Sequence, residues 1–291
     1  MTTTSEILHG CCLQHIRSFA NESVDLTVTS PPYFQQKDYG HEKQIGWEPT
    51  LGEYLAKLRT LLGQLYRVTA AHGSAFVVVG DTYEGGTMQL VPQRIACIAH
   101  DCGWLIRNDL IWAKSDAAPG RAPRRWRFTH EHIFFMVKSL GEYVFHEHAI
   151  RQPYSAATLK RWANGQRYGG PKALPSANTS DKKAKSKGNR FAKGKSFQLN
   201  PNGTLPADVI TKAAGRTALR HYATFPSGLI ETFVLAASNP EALVFDPFAG
   251  SGTTGEVALR AGRRFVGIEL SEQYVAIARE RLSAIQADLR R

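Results

Sequence analysis

The chain has 291 residues, enough for one large α/β domain or two modest ones, and its 43% hydrophobic and 21% charged content excludes disorder throughout. No apolar run approaches the ~18 residues of a membrane helix, and Met1-Thr2-Thr3-Thr4-Ser5-Glu6 lacks the basic and apolar regions of a signal peptide. Lys and Arg number 36 against 25 Asp and Glu, a net charge of +11. Residues 151–220 hold 15 of those cations against only Asp181 and Asp208, so this window carries +13 and the rest of the chain −2. A near-neutral body with one strongly basic insert points to a polyanionic partner, although a run such as Lys182, Lys183, Lys185 and Lys187 also suits a solvated loop.

In chain order, Val24-Asp25-Leu26-Thr27-Val28-Thr29 reads as a buried strand stopped by Ser30-Pro31-Pro32, where two prolines forbid continuation. Thr50-Leu51-Gly52-Glu53 is a capping box that opens a helix with Tyr54, Leu55, Leu58, Leu61, Leu62 and Leu65 on its apolar face. Phe76-Val77-Val78-Val79-Gly80-Asp81 is a second buried strand that closes on a carboxylate. A helix through Val91, Ile95 and Ile98 then stops at Gly103, and strands follow near 105–112 and 133–137. Residues 155–215 are rich in Gly, Ser, Pro, Asn and Lys and show little periodicity.

Beyond the insert, a helix over 227–237 leads to the strand Leu243-Val244-Phe245-Asp246. A glycine-rich loop, a short helix ending at Gly262 and the strand Phe265-Val266-Gly267-Ile268-Glu269 follow. The last helix starts at Ser271 and buries Val275, Ala278, Leu282, Ile285 and Leu289. Strands alternating with helices predict a doubly wound, Rossmann-like α/β fold with a mostly parallel sheet. The chain accordingly divides into halves 1–150 and 221–291 of one domain, separated by the insert 151–220.

Two constellations carry chemistry. In Asp246-Pro247-Phe248-Ala249-Gly250-Ser251-Gly252-Thr253-Thr254-Gly255 a strand ends on an acid and turns through glycines into a helix. The next strand ends on Glu269, 23 residues on. Such acids at strand ends suit a nucleotide or adenosyl ligand, with Glu269 placed to accept two ribose hydroxyls. This turn carries no Gly-Lys-Ser/Thr, and the triplet Gly194-Lys195-Ser196 in the basic insert lacks the glycine five residues before it (Asn189), which argues against a phosphate-binding ATP loop. The second constellation is Ser30-Pro31-Pro32-Tyr33, which by itself would be a rigid turn with a rim aromatic.

Together the two motifs resemble the amino-group DNA methyltransferases, in the motif order of their β group and with the Ser-Pro-Pro-Tyr form typical of cytosine-N4 members. The resemblance covers nearly the whole chain outside 155–215. Arg127-Phe128-Thr129-His130-Glu131-His132-Ile133-Phe134 is similar to the stretch before the family's target-recognition region. His221-Tyr222-Ala223-Thr224-Phe225-Pro226 is similar to the motif beside the cofactor's methionine end. The chain departs from the family at His9-Gly10-Cys11-Cys12, where Cys11 stands in place of an Asp near the cofactor adenine.

The resemblance implies S-adenosylmethionine as cofactor, held by Asp246, Phe248, Gly250, Ser251, Gly252, Thr253 and Glu269. It implies double-stranded DNA as substrate, methylated at the exocyclic N4 of cytosine in a bacterial cytosol or nucleoid, with a cognate restriction endonuclease as possible partner. Ser30 and the Pro31 carbonyl would accept from the target amine, Pro32 would stiffen the turn, and Tyr33 would stack on the extruded base. Adenine N6 is the alternative target; an RNA or protein amide lies further off, and a silent nucleic-acid-binding module further still. Arg124, Arg125 and Arg127, with Trp126 among them, and the Lys182–Lys187 run are the expected DNA contacts. No Pro-Cys pair is present for cytosine C5 chemistry, and Cys97 and Cys102 read as core residues of a helix. The pairs His130/His132 and His146/His148 each share a strand face but lack a further convergent cluster, so no metal is expected.

Overall fold

The computed structural model describes residues 4–117, 124–163, 199–214 and 225–290. They pack as two units, Met1–Ile150 with Ala207–Arg291, and Arg151–Pro206. The larger unit opens with β1 (Ser5–His9), α1 (Cys12–His15), β2 (Val24–Thr29), α2 (Leu51–Val68), β3 (Thr69–Val79) and a hairpin, β4 (Tyr83–Glu84) with β5 (Thr87–Met88). It continues with α3 (Val91–Asp101), β6 (Leu105–Lys114) and β7 (His130–Val137). The smaller unit contains α4 (Ala156–Ala163), after which the larger unit resumes with β8 (Val209–Lys212), α5 (Ser227–Ala237), β9 (Leu243–Asp246), α6 (Thr253–Arg260), β10 (Arg264–Glu269) and α7 (Glu272–Leu289).

One sheet of eight strands runs β1-β10-β9-β2-β3-β7-β6-β8. Its first five strands are parallel, β7 is antiparallel to both β3 and β6, and β8 is parallel to β6. The inner parallel strands are buried on both faces, β2 and β9 almost throughout and β3 from Gly73 to Val79, whereas β1 at the sheet edge buries only Ile7. One face is covered by α5, α6 and α7 through Phe233, Val257, Val275 and Leu282; the other by α1, α2 and α3 through Cys12, Leu58, Leu65 and Ile95. This is the doubly wound α/β arrangement. The capping box of α2 forms in full, with Glu53 N donating to Thr50 Oγ1 at 3.2 Å and Thr50 N to Glu53 Oε2 at 3.3 Å.

Several expectations are corrected. β3 begins at Thr69, seven residues ahead of the apolar run, because Thr69-Ala70-Ala71-His72-Gly73-Ser74 carries no alternation to betray a strand. Val209–Lys212, read as part of the insert, is a strand of the large sheet, and 156–163 is a helix too short to show a period. Leu289 is 47% exposed at the end of α7, Cys97 is exposed on the outer side of α3, and Cys102 is only half-buried.

Gly255 shows how tightly α6 seats on the sheet. An Ala for Gly in a helix interior ordinarily gains about 1 kcal/mol. Here the added methyl would lie 2.6 Å from the Phe265 ring and 2.9 Å from Leu282 Cδ2. We therefore expect Gly255→Ala to destabilise the protein by about 1–3 kcal/mol through overpacking, seen as a lower urea midpoint at unchanged m-value.

Candidate active site

From β2 the chain steps to β3 on one side, whereas from β9 it steps to β10 on the other. The carboxyl ends of β9 and β2 therefore flank the point where strand order reverses, the place where open α/β sheets form a crevice. Asp246 ends β9 there, 1% exposed. Its Oδ1 accepts from Thr29 Oγ1 at 2.7 Å and from Phe248 N at 3.0 Å, and its Oδ2 accepts from Thr254 Oγ1 at 2.7 Å. Burial pushes the carboxyl up to about 6 in spite of these donors. Two protein donors converge on Oδ1 and one on Oδ2, so Asp246 shapes the crevice and keeps one lone pair on Oδ2 for a ligand.

Glu269 ends β10 next door. Its Oε2 accepts from Gly250 N at 2.8 Å and its Oε1 from Ser271 N at 2.8 Å, and burial raises its pKa. Each oxygen keeps a lone pair for a further donor. The intervening loop turns at Gly250 (φ 52°) and Gly252 (φ 83°), both in the left-handed region. A side chain at Gly250 would meet nothing within 4 Å, so the loop faces open space beside Glu269. The Ser251 hydroxyl is buried with no hydrogen-bond partner, whereas Thr253 Oγ1 and the Ser251 carbonyl both accept from Arg281 of α7 at 3.3 Å. An open glycine turn, an orphaned hydroxyl and a carboxylate with acceptor capacity fit a ligand rich in hydroxyls. Phe248 is half-buried beside them. Sequence reading missed Lys37, whose charge faces Glu269 from the loop after the proline motif; nothing in its residue type announces that approach. Cys11 occupies the turn after β1 and meets Cys12; that contact holds its thiol down to about 5.

Ser30 follows β2 at the same edge, with Pro31 buried and Pro32 half-buried. Tyr54 of α2 donates from Oη to the Pro32 carbonyl at 3.0 Å, which clamps the turn to the helix. Ser30 Oγ donates to Tyr33 Oη at 3.4 Å, and an edge of the Tyr33 ring runs along Gly80 at the end of β3, where even a Cβ would approach Cε2 to 2.7 Å. Asp81, the acid closing that strand, caps α3 by accepting from Thr82 N at 2.8 Å and Val91 N at 3.0 Å. Ser30, Tyr33, Asp246 and Glu269 are thus gathered at one edge of the sheet. The arginines lie at this edge too, because β7 runs antiparallel to β3. Arg124, Arg125 and Arg127 are exposed; the Arg125 guanidinium sits 3.8 Å from the Tyr83 ring centroid, and Trp126 is 94% exposed. Lys182, Lys183, Lys185 and Lys187 lie outside the described residues. His132 Nδ1 pairs with Asp109 at 3.0 Å and His146 Nε2 with Asn239 at 2.8 Å.

A model of the DNA methylase family matches residues 24–280, so the chain belongs to that family. The type II methyltransferase M.XycI of Xanthomonas campestris pv. cyanopsidis is 28% identical over 307 residues, covering 96% of this chain and 87% of its own. Among solved structures, the protein TTHA0409 of Thermus thermophilus, complexed with S-adenosyl-L-methionine, superposes with a TM-score of 0.61 at 24% identity over 97% of this chain and 94% of that one. The cytosine-N4-specific PvuII DNA methyltransferase gives the same TM-score at 19% identity, over 99% of this chain and 93% of its own.

The raised pKa of Asp246 has a stability consequence. Between its ordinary value near 4 and its folded value near 6, the folded protein binds more protons here than the unfolded chain, so this group's contribution falls as pH rises. Compared with Asp246→Asn, the native protein should lose stability from pH 4 to 6 and track the variant above that range. Urea melts across the interval would read it; a pH-independent difference would refute the shift. Asp246→Ala strands three buried donors and should cost on the order of 3 kcal/mol.

Proposed function

We propose that this protein transfers a methyl group from S-adenosylmethionine to the exocyclic N4 of cytosine in double-stranded DNA. The observation that carries the reading is the Asp246–Thr29 hydrogen bond, which fixes the glycine loop and the Ser30-Pro31-Pro32-Tyr33 turn side by side. S-adenosylmethionine supplies, when bound, a methyl group made electrophilic by its sulfonium. Gly250 and Gly252 let the backbone approach it, Glu269 accepts its ribose hydroxyls, and Phe248, Ser251 and Thr253 complete the wall.

The exocyclic amine is a weak nucleophile because its lone pair is delocalised into the ring. Ser30 Oγ and the Pro31 carbonyl accept its two hydrogens and draw it toward tetrahedral geometry, an interaction that strengthens as the new bond forms. The Pro32 carbonyl is already engaged by Tyr54, so the Pro31 carbonyl is the acceptor this turn offers. A face of Tyr33 stacks on the extruded base and offsets part of the unstacking cost. Arg124, Arg125 and Arg127 contact the duplex beside the crevice, and the insert 151–220, with Lys182, Lys183, Lys185 and Lys187, follows its phosphates. Relatives such as M.XycI support a modification enzyme paired with a restriction endonuclease of the same specificity.

Two measurements test this reading. Nucleoside mass spectrometry on DNA from expressing cells should show N4-methylcytosine, lost in Ser30→Ala, whose cofactor affinity should stay close to native because the lost bond matters mainly as the amine changes geometry. Finding N6-methyladenine alone would move the target to adenine; methylation of RNA or protein only would refute the substrate. Neutralising Lys182, Lys183, Lys185 and Lys187 together should weaken binding of all DNA sequences alike and flatten its salt dependence. An unchanged salt slope would mark the run as a solvated loop.

A further inference from the structure

Side chains alternate along β7, and Glu131 points to the same face as Ile133, Phe135 and Val137, the face packed on α5. It is 7% exposed, a position where an unpaired carboxylate is costly. Lys114, its diagonal neighbour across the β6–β7 ladder, forms an ion pair with Glu131 Oε1. This pair lies outside both sequence motifs, yet it reaches the active edge. The Tyr33 ring lies against Gly80, and the antiparallel register that pairs Val79 with His132 sets Gly80 opposite Glu131, so Tyr33 stands beside the start of β7. Burial and then the Glu131 charge raise the Tyr33 pKa. Tyr33 Oη, in turn, accepts from Ser30 Oγ. Four side chains from three strand ends therefore form one polar row, Ser30 to Tyr33 to Glu131, with Lys114 behind.

A row of this kind has a direction. A serine hydroxyl can donate or accept, and an amine whose two hydrogens face it needs only an acceptor. Resting on the function proposed above, we propose that Glu131, fixed by Lys114, is a positioning residue for methyl transfer: it accepts the hydrogen bond of the Tyr33 hydroxyl, leaves Tyr33 Oη to accept from Ser30, and so turns the Ser30 lone pairs toward the target amine. Glu131 touches neither substrate nor cofactor; it acts through Tyr33 and Ser30. Glu131 Oε1 accepts from the Lys114 ammonium, which fixes the carboxylate in place behind Tyr33.

The test uses the full-length protein, tritium-labelled S-adenosylmethionine and unmethylated genomic DNA, which offers every short recognition sequence at once. Glu131→Gln should lower kcat about 10–100-fold, because a misdirected acceptor loses transition-state stabilisation, while the cofactor Kd from calorimetry stays within about twofold. Glu131→Asp should recover part of the loss. Tyr33→Phe leaves the carboxylate pair intact and breaks the row at its middle. If the residues act as one chain, Tyr33→Phe combined with Glu131→Gln should be no slower than the slower single variant. Native kcat in Glu131→Gln, or losses that multiply in the double variant, would overturn the inference; a cofactor Kd weakened in step with kcat would show a merely structural role and overturn it too. A native protein that methylates no DNA would overturn the proposed function and this inference with it, whereas an active native protein with an unimpaired Glu131→Gln overturns the inference alone.

Discussion

The bonds at Asp246 join what the chain order separates. Thr29 and Asp246 lie 217 residues apart, and the 2.7 Å hydrogen bond between them is buried. The turn with Ser30 begins one residue beyond Thr29, and the glycine loop begins one residue beyond Asp246, so this bond sets how far apart the two constellations stand. Thr254 at the start of α6 and the Phe248 amide complete the carboxylate's coordination, which fixes the loop from both of its ends. A burial that raises the carboxyl pKa is tolerated because every donor around it would otherwise be orphaned. In a low-dielectric site such hydrogen bonds are strong when made and costly when lost.

Around that junction, rigidity comes from pieces that have little freedom to lose. Two prolines stiffen the turn after β2, and Tyr54 fastens its carbonyl to α2. Arg281 reaches from α7 to the Ser251 carbonyl and Thr253, and is itself held by Glu256, with Nε to Oε2 at 2.7 Å. Glu269 bridges two loops, accepting from Gly250 N in the glycine loop and from Ser271 N in the turn before α7. The crevice is thus pre-formed by its neighbours on both sheet faces, as catalysis by positioning requires. The arginines are left on a loop ahead of β7, where Trp126 and the guanidinium groups remain exposed to a partner.

The buried strands, the α2 cap and the acids ending β9 and β10 were legible because each is a local pattern: an apolar run, a four-residue cap, an acid before glycines. What escaped was set by tertiary contact. The first half of β3 pairs with β2 through small and polar residues, and β8 takes its place by joining β6. The motif marks Asp246 as a cofactor-binding acid, whereas its second part as a structural centre, holding Thr29 and Thr254, is set by tertiary contact. Glu131 was visible only as part of a histidine pair, since the alternation that sends His130 and His132 to one face sends Glu131 to the other. Lys37 and Lys114 reach the site from positions whose neighbours carry no motif.

Under the proposed mechanism, the Glu131 row bears on why a serine suffices at the head of the proline motif. A carboxylate there would accept from an amine in any orientation, because it has no proton to misplace. A serine has one, and the crevice must send it elsewhere. Tyr33 sits three residues on with its hydroxyl beside Ser30, and the charge that polarises it comes from β7, where Glu131 is paired with Lys114 of β6. The acceptor role is then divided between a neutral group at the base and a charge held back from it. Under the proposed mechanism the Glu131 charge acts through one intervening hydroxyl, so the target amine meets only neutral acceptors while the carboxylate still sets their orientation.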